Sequence, residues 1–151
     1  MKTLILLIIF AFITIIKADE TGYVNKMSVK QGDTLELHIS TQVSPFNIQI
    51  YKFNDVDSLV TTISNVTGGE SFYPDSSFYY GCGWPVSYSL VIPDNWQPGV
   101  YYAQFRTSTS SKSVIFMVSP RVRGSYSQIL YLANANTWEA INPVGGKSLF
   151  N

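Results

Sequence analysis

Thr34-Leu35-Glu36-Leu37-His38-Ile39-Ser40 is the stretch that decides how this chain folds. Apolar and polar side chains alternate along it without a break. Successive side chains of a strand point to opposite faces, so the alternation predicts a strand with one face in a core and the other towards water. Gln31-Gly32-Asp33 ahead of it forms the turn. The same period recurs downstream. Phe46, Ile48, Ile50 and Lys52 share one face of a second strand, with Asn47, Gln49 and Tyr51 on the other. Pro45 stands at its start, where a missing N–H costs least. Leu59 to Val66 makes a third strand, ended by Gly68-Gly69. Strands resume at Val86 to Ile92, Gly99 to Thr107 and Lys112 to Val118, with Pro93-Asp94-Asn95 and Gln97-Pro98-Gly99 as punctuation. No window from Tyr23 to Ser119 carries a helical stripe. About six or seven short strands at this spacing predict a mainly β fold, an immunoglobulin-like or fibronectin-like antiparallel β-sandwich over residues 21–120. Tyr101, two residues after Gly99, either takes the place of the corner tyrosine of such sandwiches or is one more core aromatic.

The N-terminus sets the compartment. Lys2 precedes an apolar run of about 13 residues, Leu4 to Ile16, and Ala18 is a small residue just before Asp19-Glu20. This is the layout of a secretory signal peptide, expected over residues 1–18 and cleaved near Asp19. The run is short for a membrane span, which needs about 20 apolar residues. A secreted chain with no membrane attachment after cleavage is therefore expected. Ile16 at the third position before the cut is unusual, so the cut has more than one candidate position.

Loss of Lys2 and Lys17 with the leader leaves 8 basic against 10 acidic residues. A clustered basic face is the footprint of nucleic-acid binding, and none is present. Arg121 and Arg123 are the one close basic pair, read as a solvated linker. A single cysteine, Cys82, rules out an internal disulfide framework, so packing must hold the core. The 10 tyrosines and 9 phenylalanines supply the apolar area. Cys82 lies between Gly81 and Gly83 and before Trp84, and is expected to be buried.

Residues that carry chemistry are few. One histidine and one cysteine exclude a zinc site of such ligands within one chain. His38, on the outward face of a strand beside Glu36, reads as a solvated polar residue rather than a catalytic base. Asp55-Val56-Asp57 opens like a calcium loop but lacks the later glycine and glutamate. Gly146-Lys147-Ser148 resembles the end of a phosphate-binding loop, yet Ile141 stands where its first glycine belongs. Asn65-Val66-Thr67 is the one N-glycosylation sequon, and Asn65 is expected to carry a glycan. The irregular stretch from Glu70 to Pro85 gathers Phe72, Tyr73, Phe78, Tyr79, Tyr80 and Trp84. These six form the candidate binding surface for a sugar or peptide, since Tyr and Trp give large contact area at low entropic cost. Alternatively they fold back over the open end of the sandwich.

After Pro120 the pattern changes. Ile129-Leu130-Tyr131-Leu132 is apolar on both faces, as in a parallel sheet, and opens a segment over residues 121–151 that reads as the truncated start of a second, α/β domain. An apolar strand without partners invites self-association or a partner chain.

Two stretches are more specific than composition. One is Gly81-Cys82-Gly83-Trp84-Pro85-Val86-Ser87-Tyr88 with Ile92-Pro93-Asp94-Asn95-Trp96 and Pro98-Gly99-Val100-Tyr101. The other is Asn136-Thr137-Trp138-Glu139-Ala140-Ile141-Asn142 with Gly145-Gly146-Lys147-Ser148-Leu149-Phe150. In this order they resemble the large (β) subunit family of N,N-dimethylformamidase, over nearly all of residues 21–151. The resemblance implies a sandwich followed by a glutamine-amidotransferase-like α/β domain, whose first strand would be Ile129 to Leu132. It also implies amide hydrolysis at a mononuclear iron held by tyrosine and glutamate side chains, which would lie beyond Asn151. Ile141 stands where the family tends to have tyrosine, and Val144 where it often has tryptophan. The expectation is a secreted β-sandwich fragment that lacks the iron-binding domain, uses no cofactor, has no catalytic residue and is no enzyme by itself. The alternative is a free-standing extracellular carbohydrate- or protein-binding module.

Overall fold

The computed structural model describes residues 20–74, 76–126 and 134. The expected leader, the apolar strand at 129–132 and the motifs after it lie outside the described residues. Strands β1 (Thr21–Val24), β2 (Ser28–Lys30), β3 (Thr34–Ser40), β4 (Phe46–Lys52) and β5 (Ser58–Val66) come first. A single helical turn, α1 (Ser77–Tyr80), interrupts the irregular stretch before β6 (Tyr88–Val91), β7 (Gly99–Arg106) and β8 (Ser111–Ser119).

The strands form two sheets, β1-β3-β6 and β2-β8-β7-β4-β5. All pairings are antiparallel except β2 with β8, which is parallel. The expected β-sandwich is thus the observed architecture. The period-two pattern names its core: Leu35, Leu37 and Ile39 from β3 meet Phe46, Ile48, Ile50, Tyr101, Ala103, Phe105, Val114 and Phe116 from the facing sheet, all buried. Each large apolar side chain fully removed from water contributes about 1.5–3 kcal/mol, which explains how a chain without a disulfide holds together.

An aromatic column runs through this core. Trp96 stacks on Tyr101 at 5.1 Å between centroids, and Tyr101 on Phe116 at 5.8 Å. The Tyr101 hydroxyl donates to the Gln97 carbonyl at 2.6 Å, four residues back, as a corner tyrosine does. Tyr101 is therefore a core aromatic whose hydroxyl also ties the start of β7 to the turn before it.

Two short strands escaped the sequence reading. β1 is half-buried at every position, so it has no alternation, and β2 has only three residues. At the centre of β1, Gly22 permits a close approach, since a Cβ there would lie 2.9 Å from the His38 carbonyl oxygen and 3.3 Å from Val114.

Arg121 is not a free linker residue. Gln31 is buried, its Nε2 donates to the Trp96 carbonyl at 2.6 Å, and its Oε1 accepts the Arg121 N–H at 3.2 Å. The Arg121 guanidinium also lies 3.3 Å from Asp94. The Arg121 side chain is exposed, as expected of a solvated segment, while the buried Gln31 carboxamide ties its backbone to the sandwich just after β8. Nothing in the sequence near Arg121 signals this, because its partner is 90 residues away.

Candidate functional site

Tyr23 and His38 stand directly opposite each other across β1 and β3. Their rings stack at 4.7 Å with planes 8° apart. On this outer face of the three-stranded sheet the loop from Glu70 to Pro85 returns. The Trp84 N–H donates to the Tyr23 hydroxyl at 3.0 Å, and the Trp84 indole Nε1 donates to the Phe72 carbonyl at 3.0 Å. Trp84 packs against Tyr23 and Tyr73 with centroids 5.5 and 5.4 Å apart, and it is buried beside Cys82.

His38 Nδ1 lies 2.8 Å from the Trp84 carbonyl and 3.2 Å from that of Pro85. A carbonyl only accepts, so Nδ1 carries a proton. The expected solvated histidine is instead half-buried, stacked and hydrogen-bonded. The face that alternation assigns to water is a second small core, because a distant loop covers it.

This burial has electrostatic consequences. Desolvation pushes the Tyr23 hydroxyl above its ordinary range, against a lowering by the Trp84 N–H. Burial also pushes the Cys82 thiol up, which disfavours the nucleophilic thiolate. The buried state expected of Cys82 is observed.

The candidate surface residues divide. Trp84 is buried and Tyr73 is half-buried against it, while Phe72 and Tyr80 are exposed, Tyr80 by 87%. The side chains of Phe78 and Tyr79 lie outside the description. The loop therefore folds back through Trp84 and Tyr73, and it leaves Phe72 and Tyr80 facing solvent. Asn65 is exposed in edge strand β5, at an irregularity of the β4–β5 register, with φ +59°.

The described residues do not fit an iron site of the kind the resemblance implies. Among them no three His, Cys, Asp or Glu side chains gather closely enough to hold a metal ion. Three of the tyrosines have other partners: Tyr101 a main-chain carbonyl, Tyr23 a main-chain N–H, and Tyr102 the Asp57 carboxylate at 2.9 Å on the outside of the sheet.

Fold and loop together define a β-sandwich module whose chemically versatile side chains are held in packing and hydrogen bonds. The family model described as N,N-dimethylformamidase beta subunit-like, C-terminal, matches residues 48–151, and the chain belongs to that family. The match runs from within β4 through the residues beyond Tyr126, so it includes both stretches on which the sequence resemblance rests. No curated protein matches the chain. Among solved structures, an uncharacterized protein from Bacillus anthracis str. Ames is similar at 16% identity, with 66% of this chain and 85% of that chain covered and a TM-score of 0.43.

Proposed function

We propose that this chain is a secreted, non-catalytic β-sandwich module of the dimethylformamidase β-subunit-like family. Residues 21–120 are the sandwich, with the strand arrangement of immunoglobulin-like domains, and residues 121–151 begin an α/β segment. The observation that carries the reading is the state of His38: its ring is stacked on Tyr23 and its Nδ1 is bound to a main-chain carbonyl. A general base must reach a substrate proton, and this one faces a packed loop. The parallel β2–β8 pairing and the Tyr101–Gln97 hydrogen bond support the immunoglobulin-like arrangement. Secretion rests on the Lys2 to Ala18 pattern.

The family's name points to hydrolysis of a small amide. The full chain is to be incubated with N,N-dimethylformamide, with and without ferrous iron, and assayed for dimethylamine. No release above the buffer rate is expected. Turnover that falls when His38 or Tyr102 is replaced would overturn the proposal. A second reading, a free-standing binding module, is favoured by the exposure of Phe72 and Tyr80 on a loop braced by Trp84. Recognition residues commonly sit on loops that a rigid scaffold positions.

A further inference from the structure

The outer face of the five-stranded sheet lies on the opposite side of the sandwich from the covered loop face. Strand registers place Leu59, Tyr51, Tyr102 and Ile115 side by side across β5, β4, β7 and β8. The next row facing the same way is Thr62, Gln49, Gln104 and Ser113. Their sequence neighbours Ile48, Ile50, Ala103, Phe105, Val114 and Phe116 are buried between the sheets, so the alternation of the pleat turns both rows outward.

The first row is apolar and aromatic. Leu59 and Ile115 are 52% and 45% exposed. Tyr51 and Tyr102 stack at 5.1 Å with planes 12° apart, their hydroxyls held by Gln49 Oε1 and Asp57 Oδ2. The second row is made of carboxamides and hydroxyls, and beside it opens a groove of about 410 Å³. Asn47, Gln49, Thr62, Gln104, Arg106 and Ser111 supply its polar lining, and Pro45 part of its apolar wall. Among the described residues no carboxylate lines it.

The donors of this groove are available. Asn47 Oδ1 accepts the Asn65 N–H and Gln49 Oε1 accepts the Tyr51 hydroxyl, so neither side-chain NH₂ group donates to a described residue. The Gln104 carboxamide and the Arg106 guanidinium make no hydrogen bond or ion pair with any described residue.

We propose that this face binds a neutral oligosaccharide. A sugar ring presents an apolar C–H face, which can lie along the outward edges of the stacked tyrosines and on Leu59 and Ile115, and a rim of neighbouring hydroxyls. A carboxamide offers a donor and an acceptor side by side, which matches such a pair of hydroxyls. Four strands at about 4.8 Å spacing span about 14 Å, room for a short chain of sugars rather than a single one. A peptide would instead add to the exposed edge of β5 through main-chain hydrogen bonds. One guanidinium among uncharged groups gives little reason to select an anion.

The test is native gel electrophoresis of the full chain through gels containing a soluble β-glucan, a xylan or a mannan. Retardation in at least one gel is expected, and it should weaken about fivefold or more in Gln104→Ala and Arg106→Gln. Both are outward positions, and unchanged far-UV circular dichroism would show that the fold survives. Val91→Ala, exposed on β6 of the opposite sheet, should retain full retardation. Three results overturn the proposal: no retardation in any gel, retardation that Gln104→Ala leaves intact, or a dimer in sedimentation that Ile115→Arg dissociates. The last would assign the face to a second copy of this chain. Failure here leaves the non-catalytic reading untouched, since the dimethylformamide assay tests that separately.

Discussion

His38 lies flat against Tyr23, 4.7 Å between ring centroids and 8° between planes, with its Nδ1 bonded to the carbonyl of Trp84. This pair joins strands β1 and β3 to a loop that starts 32 residues beyond His38, at Glu70. It is the hinge between the regular sandwich and its irregular cover.

Replacing His38 with alanine removes the stack and leaves the Trp84 carbonyl without its partner. A hydrogen bond contributes about 1 kcal/mol net and an aromatic pair about 0.5–1.5. A loss of about 1–3 kcal/mol is expected, read as a lower denaturant midpoint with unchanged slope. Enhanced reactivity of Cys82 with a thiol reagent should accompany it, because Trp84 and Cys82 share one small core.

Glu20 carries the acid sensitivity of the fold. Desolvation, the largest single influence, raises its pKa, but hydrogen bonds from Ser108, from the Gln42 N–H and from Thr41 together outweigh it and lower the carboxyl from 4.5 to about 2. A carboxyl that is more acidic in the folded than in the unfolded chain stabilises the fold above the unfolded value. That contribution should be fully present above about pH 4.5 and fade as pH falls towards 2. Glu20→Gln should therefore lose stability at neutral pH and show a flatter decline through this window, measured by thermal unfolding at stepped pH.

Gln31→Ala should destabilise by about 1–3 kcal/mol, since it strands the buried Trp96 carbonyl and frees the Arg121 N–H. Hydrogen exchange at Arg121 should rise more than exchange in β7. Gln31→Glu is expected to be at least as costly, because its carboxylate cannot donate to the Trp96 carbonyl.

Asn65 joins two claims. The secreted chain should begin near Asp19 and carry one N-glycan, detected as added mass by mass spectrometry and lost in both Asn65→Gly and Thr67→Ala. Asn65 also holds φ at +59°, where glycine is at ease and a side chain costs energy. Of the two variants without glycan, Asn65→Gly should be more stable, by about 0.5–1 kcal/mol. An unmodified Asn65, or retention of residues 1–18, would defeat the secretory reading.

The sandwich was legible because a strand records its buried face locally, in every second residue. Leu35, Leu37 and Ile39 or Phe46, Ile48 and Ile50 name their side of the core without reference to any partner, and the structure buries all six. Tyr101 was legible as a corner candidate from its distance to Gly99 alone. The family too was written in contiguous motifs. What the other face of each strand meets depends on chain that is far away in sequence. Loop 70–85 turns the outward face of β3 into a second core and makes His38 a packed residue, while no described residue covers the outward faces of β4 and β7 in the same way. Likewise the row Leu59, Tyr51, Tyr102, Ile115 exists only through the registers of three strand pairings. Alternation says that a side chain points away from the core; only tertiary structure decides whether water, a loop or a ligand lies there.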